Sequence, residues 1–348
     1  MTCNQEQLLE AAESAARATY DGKTHSALSL YDALRADLPS LEMAKLDEPL
    51  RRRLCTASYR PRPSLAKAIL SAAKKPRQVD VKDKIADSQK VAALFIHAHD
   101  GYLREKAVQC FNPVDTAGRA ALLLRCNDWV ENVRFAAHVK LRELLPGWTA
   151  DDLKDLVLFT VDRIDDWQRG GAVAAADLKD HREWQNALRL TLLQETSGPM
   201  ARLLRKNLRT IDLDVLLPEL AVDARSTFVR AVAVQTLLEG CARWHVSTEW
   251  QWVDKAYNLR RRIQKWDKRD VQVPAATVRA VLASAGRDKS AMVRKLAAEH
   301  LIREGIEAHS ATYQLLVNDT SNAVRDRMDF CTRKWSGQGT VSERGQVK

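Results

Sequence analysis

The side chains best suited to contact chemistry sit in two basic segments. The first is RRRLCTASYRPRPSLAKAILSAAKKPRQV, residues 51–79, which carries Arg51, Arg52, Arg53, Arg60, Arg62, Lys67, Lys74, Lys75 and Arg77, with no acid between Glu48 and Asp80. A helix beginning after Ser64 puts Lys67 and Lys74 opposite Leu65, Ile69 and Ala72. Point charges arranged in this way can displace counterions along a phosphate backbone, so the segment reads as a nucleic-acid surface. A solvated face that only keeps the chain soluble has the same composition. The second segment is NLRRRIQKWDKRD, 258–270, in which Arg262, Lys265, Trp266 and Arg269 stand at i, i+3, i+4 and i+7. On a helix these form one stripe, suited to a sugar-phosphate strand with a base stacked on the indole. The same spacing arises if Trp266 packs in the core and the cations snorkel past its edge.

Metal, redox and nucleotide chemistry find little footing. FIHAHD contains His97, His99 and Asp100, and a His-x-His pair grips a metal from one face of a strand. In a helical context residues two apart diverge, and no further His or Cys lies at ligand spacing, so no metal site is expected. The six cysteines (Cys3, Cys55, Cys110, Cys126, Cys241, Cys331) form no CxxC pair, which argues against a zinc knuckle or a redox dithiol. There is no GxxxxGK[ST], GxSxG or HExxH motif, no GxGxxG after a strand, and the remaining histidines are dispersed. No cofactor is implied.

The elements that must position these residues are helices. Glycine (13) and proline (10) are scarce among 348 residues, and runs of alternating β-branched residues are few, so the expected class is all-α. A net charge of +10 is compatible with a polyanionic partner, although spread over a long chain. No stretch approaches 18 uninterrupted apolar residues and the N-terminus carries acids, which predicts a cytoplasmic chain without a membrane partner.

An internal repeat organises most of the chain. Asp128, Asp254, Asp288 and Asp319 are each followed six residues later by an arginine that an apolar residue precedes, namely Arg134, Arg260, Arg294 and Arg325. With looser pairs included, arginines at 104, 134, 169, 202, 230, 260, 294 and 325 recur every 28 to 35 residues, a period that indicates stacked helix pairs. An apolar helix precedes several of these acids, as in RAALLLRC, LDVLLPELAV, AATVRAVLASAG and SATYQLLV. In VRKLAAEHL, Val293, Leu296, Ala297 and Leu301 form one apolar stripe, and Ala107, Ala137, Ala233 and Ala297, each three after an arginine, let helices approach closely. The aspartate, in the turn before the second helix, can cap its N-terminus.

The pattern D-x4-V-R-x2-A-x3-L resembles the second helix of a HEAT repeat. The resemblance implies an α-solenoid of about eight helix pairs over residues 84–335, with Asp128, Arg134, Asp254, Arg260, Asp288, Arg294, Asp319 and Arg325 in a hydrogen-bonded ladder between neighbouring repeats. Residues 1–83 read instead as an irregular helical region with helices near 4–19, 24–37, 41–58 and 64–75, and 336–348 as a disordered polar tail. Trp250, Trp252 and Asp254 resemble, in residue type, the aromatic walls and carboxylate of HEAT-like DNA glycosylases, which implies Asp254 as a catalytic carboxylate beside a cationic sugar. The turn position of Asp254 gives it a structural reading as well. Three expectations follow: a non-catalytic scaffold binding nucleic acid through its backbone, an adaptor gripping a protein partner on its concave face in a bacterial multi-protein complex, or a glycosylase acting on alkylated bases.

Overall fold

The computed structural model describes residues 3–23, 26–58, 80–162 and 167–342. The described chain is mostly α-helical, with eighteen α-helices and a single two-stranded sheet. It divides into two compact units, residues 1–188 and 189–348.

The first unit opens with α1 (Cys3–Tyr20), α2 (Ser26–Ala36) and α3 (Ser40–Ser58); the helix expected at 64–75 lies outside the described residues. Next come α4 (Val81–Asp87), α5 (Gln89–Phe95), α6 (Gly101–Cys110), α7 (Thr116–Arg125), α8 (Glu131–Leu144), α9 (Ala150–Asp162) and α10 (Gly171–Lys179), and α11 (Trp184–Gln194) runs across the boundary. Helices α6 and α8 pack side by side, each antecedent helix (α5, α7) packs on its successor, and α3 packs on α1, α7 and α9. The start of α10 needs a glycine. A Cβ at Gly170 would stand 1.9 Å from the carbonyl oxygen of Cys126, so only a bare backbone can pass there.

The second unit contains α12 (Met200–Asn207), α13 (Leu217–Asp223), α14 (Thr227–Glu239), β1 (Cys241–Asp254), β2 (Leu259–Asp270), α15 (Ala275–Gly286), α16 (Ala291–Glu304), α17 (Ser310–Val317) and α18 (Asn322–Ser342). Helices α14, α16 and α18 pack in one row and α13, α15 and α17 in another behind it. The last helix continues to Ser342, into the stretch read from sequence as a disordered tail.

The repeated sequence pattern accounts for this packing. Val133, Val229, Val293 and Val324, each just before its arginine, are all fully buried, as are Ala107, Ala137, Ala233 and Ala297. Small side chains at the second set of positions allow close helix approach, and loss of a large apolar neighbour such as Leu141 or Leu301 would cost about 2–5 kcal/mol.

A ladder between successive turns forms, but its membership differs from the one expected: Arg104 and Arg230 join it, and Arg134 and Arg325 reach only a backbone carbonyl of their own turn. Each arginine donates to the carbonyl six residues behind it, at the turn of its own helix pair: Arg104 to Ala98 (2.7 Å), Arg134 to Asp128 (2.9 Å), Arg230 to Ala224 (2.7 Å), Arg294 to Asp288 (2.8 Å) and Arg325 to Asp319 (2.6 Å). Three of them also clasp the carboxylate of a later turn in a two-pronged pair: Arg104 with Asp128 (2.9 and 2.8 Å), Arg230 with Asp288 (2.7 and 3.1 Å) and Arg294 with Asp319 (2.6 and 2.9 Å). The planar guanidinium fork suits this double duty. Asp254 and Arg260 take no part. They lie in the β-hairpin, so the repeat counted there does not exist. The Arg230–Asp288 pair spans 58 residues, of which the hairpin contributes 30, and the remaining 28 are close to the separations of 24 and 25 in the other two pairs.

A charged cluster is buried in the first unit. Asp47 accepts from His97 Nδ1 at 2.6 Å and pairs with Arg125 and, at 3.3 Å, with Arg51; Asp128 holds Arg104 and, at 3.3 Å, Arg125. Burial works to raise the Asp47 carboxyl, but Arg125, His97 and Arg51 outweigh it and hold it well below the usual carboxylate range. Burial lowers the His97 imidazole despite the attraction of Asp47. His97 is thus a neutral core residue donating to Asp47, while His99 is exposed; both lie in the turn between α5 and α6 rather than on a helix.

Candidate nucleic-acid interface

The hairpin forms where the sequence alternates with period two rather than 3.6. Trp250 and Trp252, then Arg260 and Arg262, then Gln264, Trp266 and Lys268, step two residues at a time, which places each set on one face of a strand. The strands pair antiparallel from Cys241↔Asp270 to Asp254↔Leu259, with irregularities after His245 and after Trp252 that leave Val246 and Val253 unpaired. Asp254 closes the tip by accepting from the backbone N–H of Ala256 (2.8 Å) and Tyr257 (3.2 Å), and Asn258 takes the left-handed conformation (φ 54°) that a tight loop requires. At the root, Gly240 ends α14 in the left-handed region (φ 61°), and Val271 donates to its carbonyl at 2.9 Å.

The register gives the ribbon two unlike faces. On one, Trp252 pairs with Arg260, Trp250 with Arg262, His245 with Trp266 and Arg243 with Lys268. The Arg260 guanidinium carbon lies 3.8 Å from the centre of the Trp252 ring, and that of Arg262 lies 5.0 Å from Trp250. Trp266 is flanked by Arg205 of α12 at 5.7 Å and by the edge of His245 at 5.8 Å. Burial lowers the Arg205 guanidinium, against an opposing pull from Glu239. These indoles remain open, Trp250 being 59% and Trp252 41% exposed. Toward the tip this face carries cations and aromatics with no acid; Asp270, at the root, is its one carboxylate.

The other face is internally neutralised. Lys265 pairs with Glu249 at 2.7 Å, Arg261 donates to Gln251 (2.9 and 2.7 Å), and Asp267 lies opposite Trp244. Arg269 belongs to the anchor: it donates to the carbonyls of Leu208 (2.7 Å) and Thr210 (2.6 Å) and to Asp214 (2.9 Å), whose hydrogen bond raises its guanidinium above the ordinary value.

The helical stripe read from sequence is therefore split. Arg262 and Trp266 share the cation-aromatic face, Lys265 is spent on Glu249, and Arg269 ties the root to the loop after α12. Asp254 pairs across from Leu259, on the face away from Trp250 and Trp252, and its carboxylate serves the turn, so these three do not assemble a carboxylate with aromatic walls. The partners missed in the sequence are Arg260, which had been given to the ladder, with Arg205, Arg243, His245 and Lys268. The alternating Trp-x-Trp and Arg-x-Arg were the signal for them.

The other basic segment is also altered by folding. Arg51 meets Asp47 at 3.3 Å, Arg52 meets Glu48 at 2.9 Å, and Arg53 meets Glu13 at 3.1 Å and also Glu6. A window free of acids along the chain is not free of them in space, because carboxylates one helical turn back and on α1 fold onto it. Arg60, Arg62, Lys67, Lys74, Lys75 and Arg77 lie outside the described residues. Among the described residues no group of His, Cys, Asp or Glu is placed to hold a metal ion, and no helix is long and apolar enough to cross a membrane.

Compared with family models, curated proteins and solved structures, the chain matches none of them.

Proposed function

We propose that this protein is a non-catalytic scaffold of HEAT-like helix pairs that binds nucleic acid through the cation-aromatic face of its hairpin, chiefly by contacts to the sugar-phosphate backbone. The observation that carries the reading is the pair of arginines stacked on exposed indoles, Arg260 on Trp252 and Arg262 on Trp250. A guanidinium placed over a ring can still offer N–H donors to phosphate oxygens and has already lost some of its rotamer freedom. Around Arg260 and Arg262 this face has no acid: Asp270 sits at its root, Arg243 near the root pairs with Glu239 of α14 at 3.1 Å, and the anchoring of Arg269 holds the ribbon root in place. The repeating arginine clasps support the HEAT-like part of the reading.

The test is a fluorescence-anisotropy titration of labelled oligonucleotides at several salt concentrations. Replacing Arg260 and Arg262 by alanine removes two phosphate partners, and the slope of log K against log[salt] should become shallower by about 1.5–2. An unchanged slope and affinity in the double variant would remove the hairpin from the interface.

A protein-partner reading draws on one different feature. In the first unit a cleft of about 640 Å³ is bordered by the exposed Phe135 and Val139 and by Glu105, Glu131 and Glu143. A partner captured there would resist nuclease treatment and carry basic and apolar residues together.

A further inference from the structure

The geometry of the same face points to a narrower class of ligand. We infer that the hairpin takes an unpaired nucleic-acid strand, DNA or RNA, with successive bases stacking on Trp250 and Trp252 and phosphates held by Arg260 and Arg262. The inference rests on the hairpin being the nucleic-acid interface.

Three observations carry it. First, the two residues nearest the tip on the cationic face of β1 are indoles, Trp250 and Trp252, rather than side chains that read base edges. Each offers open ring surface while a guanidinium covers part of it. A ring surface gains most from a base face, and a duplex hides its base faces inside the stack, leaving only groove edges and phosphates.

Second, the spacing suits an opened strand. Same-face neighbours on a strand are about 6.8 Å apart, two residues at about 3.4 Å each. Bases in a duplex strand rise by about 3.4 Å, so consecutive bases meet consecutive indoles only when the strand has been stretched and unstacked to about twice that repeat. Only an unpaired strand adopts that repeat without loss of base pairing.

Third, the cations alternate with the rings in register. The cross-strand partner of Trp250 and of Trp252 is an arginine, so both base positions have a cation one strand away, about 5 Å across the ribbon. Trp266, between Arg205 and His245, extends the track toward the root. Further apolar surface surrounds the tip, where Tyr257 is 78% and Val253 61% exposed.

The experiment uses the full chain with dye-labelled 12-nucleotide probes: oligo-dT, oligo-rU, and a mixed-sequence DNA strand both alone and annealed to its complement. Binding is read by anisotropy at two salt concentrations. The expected result is tighter binding of the lone strand than of the duplex it forms. Trp250→Ala and Trp252→Ala should each weaken single-strand binding by roughly tenfold while changing duplex binding by less than about twofold, and Trp→Phe should restore most of it. Comparison of dT with rU shows which sugar is preferred. Equal or tighter duplex binding, or single-strand binding indifferent to both tryptophans, overturns the inference; if that binding still depends on Arg260 and Arg262, the interface stands. Absence of binding to every probe at low salt overturns the interface itself. Both indoles are exposed, so circular dichroism of the variants should match that of the parent.

Discussion

Replacing Arg104 by alanine is the most direct probe of how the helix pairs are held together. Its side chain is fully buried, with two nitrogens on the Asp128 carboxylate at 2.8 and 2.9 Å and a third on the carbonyls of Ala98 (2.7 Å) and His99 (2.9 Å). Truncation strands a nearly inaccessible carboxylate, left with Arg125 at 3.3 Å and the Val130 N–H at 2.9 Å, together with two carbonyls at the end of a turn. Breaking a buried pair by removing one member costs about 3–5 kcal/mol. At about 2–4 °C per kcal/mol for a unit of this size, the midpoint should fall by roughly 10 °C in differential scanning calorimetry at neutral pH. Arg134 is the comparison. It sits six residues after Asp128 in sequence, yet its guanidinium reaches only the Asp128 carbonyl at 2.9 Å from a half-buried position, so Arg134→Ala should cost about 0.5–1.5 kcal/mol. The Arg104→Ala, Asp128→Ala double variant should lose less than the sum of the singles, since the stranded charge is gone. If Arg134→Ala destabilises as much as Arg104→Ala, or the double variant is strictly additive, the wiring described above is wrong.

Other consequences can be checked with equal economy. Excising residues 246–265 and joining the strand stumps with a short Gly-Ser turn should abolish oligonucleotide binding in the anisotropy assay while leaving the melting midpoint within a few degrees, because the Arg230–Asp288 clasp and the Arg269 anchor lie outside the excised tip. Asp254→Ala removes the carboxylate that accepts from two backbone N–H groups at the tip and should cost about 0.5–2 kcal/mol, by analogy with a lost cap, appearing as faster amide exchange at Ala256 and Tyr257; a residue required for base excision would instead lose activity with exchange unchanged. Acid should destabilise the first unit in two stages. His97 is held below its unfolded pKa of about 6.5, so the unfolded chain binds a proton the folded one does not, and stability falls as the pH drops below that value; His138 has the same sign. Asp47, held low, contributes fully above about pH 4 and loses its contribution as pH falls further. His97→Asn should flatten the melting-versus-pH curve between pH 7 and 5 and leave the lower stage in place.

Much of the fold was readable because core packing repeats in the sequence. The Val-Arg-x2-Ala-x3-Leu spacing placed Val293, Ala297 and Leu301 on one stripe, and all three are fully buried in α16. The helices RAALLLRC, LDVLLPELAV, AATVRAVLASAG and SATYQLLV correspond to α7, α13, α15 and α17. The hairpin was missed for a physical reason. An insertion of 30 residues is close to one repeat length, so it preserves the arginine period, and Asp254 and Arg260 fall six apart although a turn and two strands separate their roles. Local alternation at Trp250, Trp252, Arg260 and Arg262 contradicted the repeat, and the local pattern was the one that held.

The sequence by itself determined the helical class, the apolar stripes that build each core, and the excess of positive charge, since these depend on residue type and short-range spacing. Tertiary structure alone decided which charges are free. Arg51, Arg52 and Arg53 are matched by acids brought in from α1 and from a helical turn back, Lys265 and Arg269 are taken up by Glu249 and Asp214, and Arg260 and Arg262 are left stacked on open indoles. Charge pairing is a matter of distance through space, falling off over a few ångströms, and no count along the chain supplies that distance.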